Sequence, residues 1–396
     1  MQGSLLHAQA LAGAPSAPAL GAGGHTLVRE NIDNVGLVQG ALEEFGVPLG
    51  LARLVAQEDH RIGLRVYLLD NSGSTSTWDG TVFVEDPDSR RSRLKTATRW
   101  EEIRDVAKDH ARWNLQVGTP CEFVLLNSTY RLPEGPIVEG RDSLRIDPAL
   151  GPMGDQLQRL DNFLANNGPH GVTPLAERLD DIGQLIGESL QALSARGQLV
   201  FVVIVTDGMP TTRCSGESTP EDRVRLVDSM KRIFLMGPVR MVIRLCTNDA
   251  QTVKFYSSLD DEQELELDVL NDYRGEAEEI ASKGNDWFAY TPRLHLIREA
   301  GTLCKILDDL DEGLLPVGAV RLLASMLLES REQPLDGIGD VELVREAGRV
   351  ARDHRRLVFD AHSMASRPPV NARRLRRALG LGVGAMLKST LCPCVT

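Results

Sequence analysis

The apolar run Ile62–Leu69 has the length of a strand and breaks directly into Asp70-Asn71-Ser72-Gly73-Ser74. A strand that is apolar along its whole length belongs in a sheet covered on both faces, the arrangement of α/β proteins. The carboxyl edge of such a sheet is where open α/β folds bind ligands. Residues at i, i+2 and i+4 of an extended turn can aim at one point, and Asp70, Ser72 and Ser74 have that spacing. All three offer hard oxygen donors, which suit Mg²⁺, Mn²⁺ or Ca²⁺ rather than zinc. The alternative reading is a polar turn without a task, since Asp, Asn, Ser and Gly are all turn formers.

Two distant segments bear on that choice. Gln198–Val205 is apolar after its first residue and also ends in a polar turn, Thr206-Asp207-Gly208. Between the two runs lies Gly171-Val172-Thr173-Pro174-Leu175, leading into a helical pattern over Leu175–Leu193. Proline is well tolerated at a first helical position, which puts Thr173 in the loop just before a helix. An Asp-x-Ser-x-Ser, a Thr before a helix and a Thr-Asp-Gly, in that order, resemble the von Willebrand factor A domain with its metal-ion-dependent adhesion site.

The resemblance runs from about Ile62 to at least Leu270. It implies a doubly wound, mostly parallel α/β sheet flanked by helices. It also implies a complete cation site made of Asp70, Ser72, Ser74, Thr173 and Asp207. In that family the serines and the threonine touch the cation, while the carboxylates hold it mainly through water. The implied cofactor is Mg²⁺, with Mn²⁺ or Ca²⁺ as alternatives.

Neutral hydroxyl ligands leave a dication short of negative charge, so it seeks an anionic oxygen from outside, such as a Glu or Asp of a protein partner. The pattern offers no general base or nucleophile, because Ser72 and Ser74 would be occupied as ligands. The expectation is therefore a cation-dependent protein-binding module and not an enzyme. Two other readings stand beside it. One is a metal-dependent hydrolase using the same pocket. The other is a structural protein, or a partner subunit of a ring ATPase, whose metal mainly stabilises it. Haloacid-dehalogenase phosphatases also place an Asp after a buried strand, but they need a second Asp where this chain has Ser72.

A net charge of −12 argues against a nucleic-acid partner, which requires a basic footprint. The six cysteines form no Cys-x-x-Cys pair, and Cys121 and Cys246 stand in apolar strands. Buried free thiols suit a reducing compartment, so a cytoplasmic protein is expected. Residues 1–30 read as a disordered leader; Met1–Gly24 lacks the basic start of a secretion signal and the arginines of a mitochondrial presequence. No segment approaches the roughly 20 apolar residues of a membrane span.

The expected organisation continues with a helical lead-in at 31–60, the α/β domain at 61–285 and a helical extension at 286–396. In the lead-in, two short helices over Asn34–Gln57, interrupted by Gly46-Val47-Pro48, are expected to pack beside the first strand. Thr77–Thr98 reads as a long polar loop over the metal face, containing the short run Thr81–Val84 and able to set partner choice. Further on, helices are expected at Arg99–Trp113, Gln156–Leu164, Glu221–Met236 and Ala250–Leu259. Strands are expected at Cys121–Leu126 and Val239–Cys246, with Ser143–Ile146 pairing antiparallel near an edge. Glu264–Leu270 alternates acidic and apolar residues and reads as a half-exposed edge strand, an acidic calcium surface being the alternative.

The aromatic cluster Asp286–Pro292 is expected to pack the extension onto the sheet domain. Helices are expected at Leu294–Leu310, Gly318–Leu328 and Val341–Arg352. Asp336-Gly337-Ile338-Gly339-Asp340 lacks the Glu that closes an EF-hand loop and reads as a helix-capping turn. The tail, with Arg373, Arg374, Arg376 and Arg377, reads as an amphipathic helix. An acylated anchor at Cys392 and Cys394 is the alternative, though membrane association is not expected.

Overall fold

The computed structural model describes residues 35–85, 92–128, 137–260, 266–331, 335 and 337–382. The leader at 1–30 and the cysteines Cys392 and Cys394 lie outside the described residues. The strands are β1 Ile62–Leu69, β2 Gly80–Glu85, β3 Ser92–Ala97, β4 Cys121–Leu125, β5 Ser143–Ile146, β6 Leu199–Thr206, β7 Val239–Leu245, β8 Leu267–Leu270, β9 Val358–Asp360 and β10 Ala365–Arg367. The helices are α1 Val35–Glu44, α2 Leu49–Glu58, α3 Arg99–Val117, α4 Met153–Asn166, α5 Leu175–Ala195, α6 Pro220–Met236, α7 Ala250–Asp260, α8 Tyr273–Ser282, α9 Pro292–Glu299, α10 Lys305–Asp308, α11 Val317–Leu328, α12 Asp340–Val350 and α13 Ala372–Ala378.

A six-stranded sheet in the order β5-β4-β1-β6-β7-β8 forms the centre. All neighbours run parallel except β5, which pairs antiparallel with β4 at one edge. The fold is a doubly wound α/β sheet of the Rossmann-like kind. The pleat sends alternate residues to opposite layers. On one face Leu64, Val66 and Leu68 of β1 pack with Leu179, Ile182 and Ile186 of α5 and Leu226 and Met230 of α6. On the other, Tyr67 and Leu69 pack with Ile103 and Ala107 of α3 and Leu160 of α4. The chain winds outward from β1 through β4 to β5, then returns to β6 on the other side of β1. The sheet therefore changes winding direction between β1 and β6, the place where open sheets leave a crevice at their carboxyl ends.

Arg65 interrupts the apolar run of β1 and is buried. Its guanidinium donates to Ala300 O at 2.8 Å, Asn114 Oδ1 at 3.2 Å and Asp59 Oδ1 at 2.7 Å, so one side chain joins lead-in, sheet, α3 and C-terminal part. The two lead-in helices form as expected but share their core mainly with the C-terminal part. Leu42 and Leu51 lie in one cluster with Trp113, Tyr273, Trp287 and Leu323. Trp287, Phe288 and Tyr290 of the aromatic cluster are buried there.

Two expectations are corrected. The described residues of 77–98 do not form a loop. Strands β2 and β3 pair antiparallel as a hairpin, with Gly80 opposite Ala97 and Phe83 opposite Leu94. Ser92–Ala97 has only Leu94 and Ala97 as apolar residues, so its strand state comes from pairing and from Phe83 meeting Phe359 with ring centroids 5.5 Å apart. The helix expected over Leu294–Leu310 is broken between α9 and α10. Gly301 sits at φ +80, where a Cβ would lie 2.3 Å from the Phe201 ring. The backbone passes too close to β6 for a regular helix with a side chain at this point.

Candidate functional site

The turn after β1 is anchored before it carries any donor. Asp70 N–H donates to Val205 O at 2.9 Å, which fastens the end of β1 to β6. The Asp70 carboxylate is fully held: Oδ1 accepts from Ser72 N–H at 2.8 Å and Oδ2 from the Thr206 hydroxyl at 2.6 Å. Asn71 forms a reciprocal clamp with the chain after β4. Its Nδ2 donates to Asn127 O at 3.1 Å, and its Oδ1 accepts from Asn127 N–H at 2.7 Å.

The same clamp brings in the loop before α5. Asn127 Nδ2 donates to Val172 O at 2.8 Å, Gly73 N–H to Gly171 O at 3.1 Å, and His170 N–H to Asn71 O at 2.8 Å. Gly171 adopts φ +77, and a Cβ there would sit 2.8 Å from Asn127 Oδ1. Thr173 is then fixed by exchange with Thr211: its N–H donates to Thr211 Oγ1 at 3.0 Å, and its carbonyl accepts from Thr211 N–H at 2.9 Å. Pro174 stands as the N-cap of α5 rather than inside its first turn.

The side chains converge over the crevice between β1 and β6. Ser72 Oγ and Ser74 Oγ are 2.9 Å apart, and Ser74 Oγ donates to Asp207 Oδ1 at 2.9 Å. A Cβ placed on Gly208 would lie 3.4 Å from Thr173 Oγ1 and 4.0 Å from Ser74 Oγ, so these two hydroxyls face the same point of backbone. Asp70, Ser72, Thr173 and Asp207 are buried, whereas Ser74 is open to solvent. All five sequence-predicted site residues thus come together beside the turns that follow β1 and β6.

Charge at the site is unevenly balanced. Burial first, and the neighbouring Asp207 carboxylate second, push Asp70 up to about 6. Arg99, the first residue of α3, donates from Nη1 to Asp207 Oδ2 at 2.9 Å. The rest of its guanidinium grips Asp79 at 2.6 and 2.7 Å. Arg99 is set there by a capping box, in which Thr98 Oγ1 accepts from Glu101 N–H at 3.1 Å and Glu101 Oε2 accepts from Thr98 N–H at 2.8 Å. Beside this link Trp78 is 63 % exposed.

Several of these residues escape reading from sequence. Thr206 stood only as part of a polar turn, yet its hydroxyl holds Asp70. Asn71, Asn127, Thr211 and Arg99 lie on four separate stretches of chain, and only Asn71 and Thr206 adjoin the motif. Tyr256 of α7 donates its hydroxyl to Gly208 O at 3.0 Å, fixing the turn after β6 from the far side.

The donor set can be tested against a cation by its chemistry. The side chains of Asp70, Ser72, Ser74, Thr173 and Asp207 offer only oxygens, and the set combines carboxylates with hydroxyls, as hard divalent ions require. An octahedron with metal–oxygen distances of about 2.0–2.1 Å has edges of about 2.9 Å. The Ser72–Ser74 and Ser74–Asp207 oxygens are joined by hydrogen bonds of 2.9 Å, so three oxygens of the set are held together at separations that such an ion could take over. Another acidic cluster, Asp308, Asp309 and Glu312, is a bare carboxylate group at α10, and Lys305 Nζ already engages Asp309 at 2.6 Å.

Comparison with protein-family models gave no match, and comparison with curated proteins gave none.

Proposed function

We propose that this chain is a divalent-cation-dependent protein-binding module of the von Willebrand factor A type. In this reading it recognises an acidic side chain of a protein partner. The observation that carries the reading is the oxygen chain Ser72 Oγ, Ser74 Oγ, Asp207 Oδ1, with successive separations of 2.9 Å, over the crevice between β1 and β6. Ser72, Ser74 and Thr173 supply neutral oxygens, and Asp70 and Asp207 supply the negative charge. When bound, Mg²⁺, Mn²⁺ or Ca²⁺ offers a position for one anionic oxygen from outside the chain. Asp70 orients Ser72 through its backbone N–H and keeps the turn closed through Thr206. Asp207 is held between Ser74 and Arg99, which fixes both of its oxygens.

Binding is favoured over turnover because the hydroxyls of Ser72 and Ser74 are engaged with each other and with Asp207. No histidine contacts the five site residues among the described residues. The exposed Trp78, next to the Asp79–Arg99 pair that holds Asp207, gives a partner apolar surface beside the cation. A cytoplasmic setting fits the four described cysteines, Cys121, Cys214, Cys246 and Cys304, all of them free thiols. Among the described residues no helix is long and apolar enough to cross a membrane.

Thermal or urea unfolding in Mg²⁺ tests the site. At a cation concentration of about 100 times Kd the wild type should gain about 2.7 kcal/mol. Ser72→Ala and Asp207→Ala should lose that gain, and an unchanged gain in both variants would refute the assignment. Affinity capture with wild type, with Thr173→Ala and with chelator then separates binding from mere stabilisation. Partners absent from both the variant and the chelated sample are ligands of the metal face, and an identical set in all three samples argues for a purely structural metal.

A further inference from the structure

The C-terminal part carries a second surface whose charge opposes that of the whole chain. Residues 337–382 hold ten arginines against five carboxylates, in a chain of net charge −12. Helices α12 and α13 meet through Leu343, Val344, Ala347 and Leu375. Beside that contact they leave an open groove of about 920 Å³. Arg345, Arg349 and Arg352 line it from α12 and the residues just after it, at i, i+4 and i+7, which is one stripe of a helix. Arg373 and Arg376 line it from α13 at i and i+3.

Both carboxylates of the groove are already committed. Glu346 accepts from Arg349 at 2.7 and 2.6 Å, and Glu342 accepts from the Gly339 N–H at 3.3 Å at the start of α12. Among the described residues Arg376 donates to the neutral carbonyls of Leu381 and Gly382, at 3.3 and 2.6 Å. Arg352 and Arg373 are exposed and have no carboxylate partner among the described residues. Five guanidiniums against two carboxylates leave an excess of three positive charges around a floor that includes Ile338, Val344 and Ala372.

We infer that this groove binds an acidic peptide segment of a partner protein, in which carboxylates alternate with small apolar side chains. Guanidinium forks on two facing helices suit several carboxylates at fixed spacing, each held by paired hydrogen bonds. The apolar floor takes the side chains between them. A nucleic-acid strand fits less well, because the lining has no aromatic ring for bases to stack on and the remainder of the chain repels a long polyanion. The inference stands apart from the metal reading, since it uses none of its residues.

The test is fluorescence anisotropy with a short fluorescein-labelled peptide alternating Glu and Ala, and the same peptide with Gln for Glu. The full chain should bind the Glu peptide and not the Gln peptide, with affinity falling as salt rises from about 50 to 200 mM. The double variant Arg345→Ser/Arg352→Ser should weaken binding by about tenfold or more. Arg373→Ser, on the facing helix, should weaken it independently, and Arg355→Ser, whose side chain is 91 % exposed and does not line the groove, should leave it unchanged. Unfolding curves superimposable on wild type show that the variants fold. Absence of peptide binding at low salt would overturn the inference. So would equal affinity of the groove variants, or tighter binding of oligo-dT than of the Glu peptide.

Discussion

At the scale of single residues, the site depends on side chains that hold its donors as much as on the donors. Thr206 is the clearest case. Thr206→Val removes the donor to Asp70 Oδ2 in a fully buried setting, and the orphaned acceptor should cost about 1–3 kcal/mol in urea unfolding. Trp78 belongs to the same scale from the binding side. If the partner docks over the cation, Trp78→Ala should weaken its binding by about 2 kcal/mol or more while leaving unfolding unchanged, the pattern of an exposed aromatic anchor. Glu122 of β4 shows how a buried carboxyl sets pH behaviour away from the site. Burial pushes it up to about 7, above its ordinary 4.5. The folded chain therefore holds a proton between about pH 4.5 and 7 that the unfolded chain has released, so this group's contribution to stability falls as pH rises through that window. The full cost above it is about 3 kcal/mol. Glu122→Gln should flatten the slope of stability between about pH 5 and 7, measured by urea midpoints across that range.

At the scale of elements, most boundaries follow from patterns that survive folding. Largely apolar runs bounded by polar turns became β1, β6 and β7, because strands covered on both faces need no polar side; the buried Arg65 of β1 and Arg244 of β7 are held in ion pairs. The antiparallel edge strand Ser143–Ile146 is found as β5, and the part of Glu264–Leu270 that is described forms β8 at the opposite edge; 264 and 265 lie outside the described residues. The failures have a common cause. Strand β3 has little hydrophobic signature, since its conformation is supplied by its partner β2 and by Phe83 against Phe359. The break after α9 comes from the closeness of Gly301 to Phe201, a residue one hundred positions earlier. Gly301→Ala adds a Cβ at φ +80 and into an aromatic ring, so it should destabilise by more than the usual gain from stiffening a glycine, by about 2 kcal/mol or more, measured by thermal unfolding.

At the scale of the whole molecule, the sheet does not stand by itself. The largest apolar cluster joins α1 and α2 to the region after residue 285 through Trp113 and Tyr273. Charged residues reinforce this union in the interior. Arg298 pairs with Glu276 and, at 2.7 Å, with Asp311. Arg244 of β7 pairs with Glu299 at 2.9 Å and with Glu102 of α3. Breaking such a buried pair leaves an uncompensated charge, so Arg65→Ala, which removes the cation paired with the buried Asp59, should cost about 3–5 kcal/mol in chemical unfolding. A chain ending at residue 285 should show no cooperative unfolding transition by calorimetry, because it would expose the inner faces of α1, α2 and α8.

The amino-acid sequence by itself determined the covered parallel sheet, its helical layers and the five residues now found side by side after β1, β6 and before α5, because hydrophobic period and turn chemistry are local properties of a chain. It also determined the lead-in helix pair and the burial of Trp287, Phe288 and Tyr290. Only the tertiary structure decided which side chains hold those five in place. Thr206, Asn127, Thr211 and Arg99 act by distance and direction across the fold, and ordinary polar residues carry no local mark of such a role. The same holds for the hairpin over 80–97 and for the arginine groove between α12 and α13, where charge acquires meaning only once two helices are laid side by side.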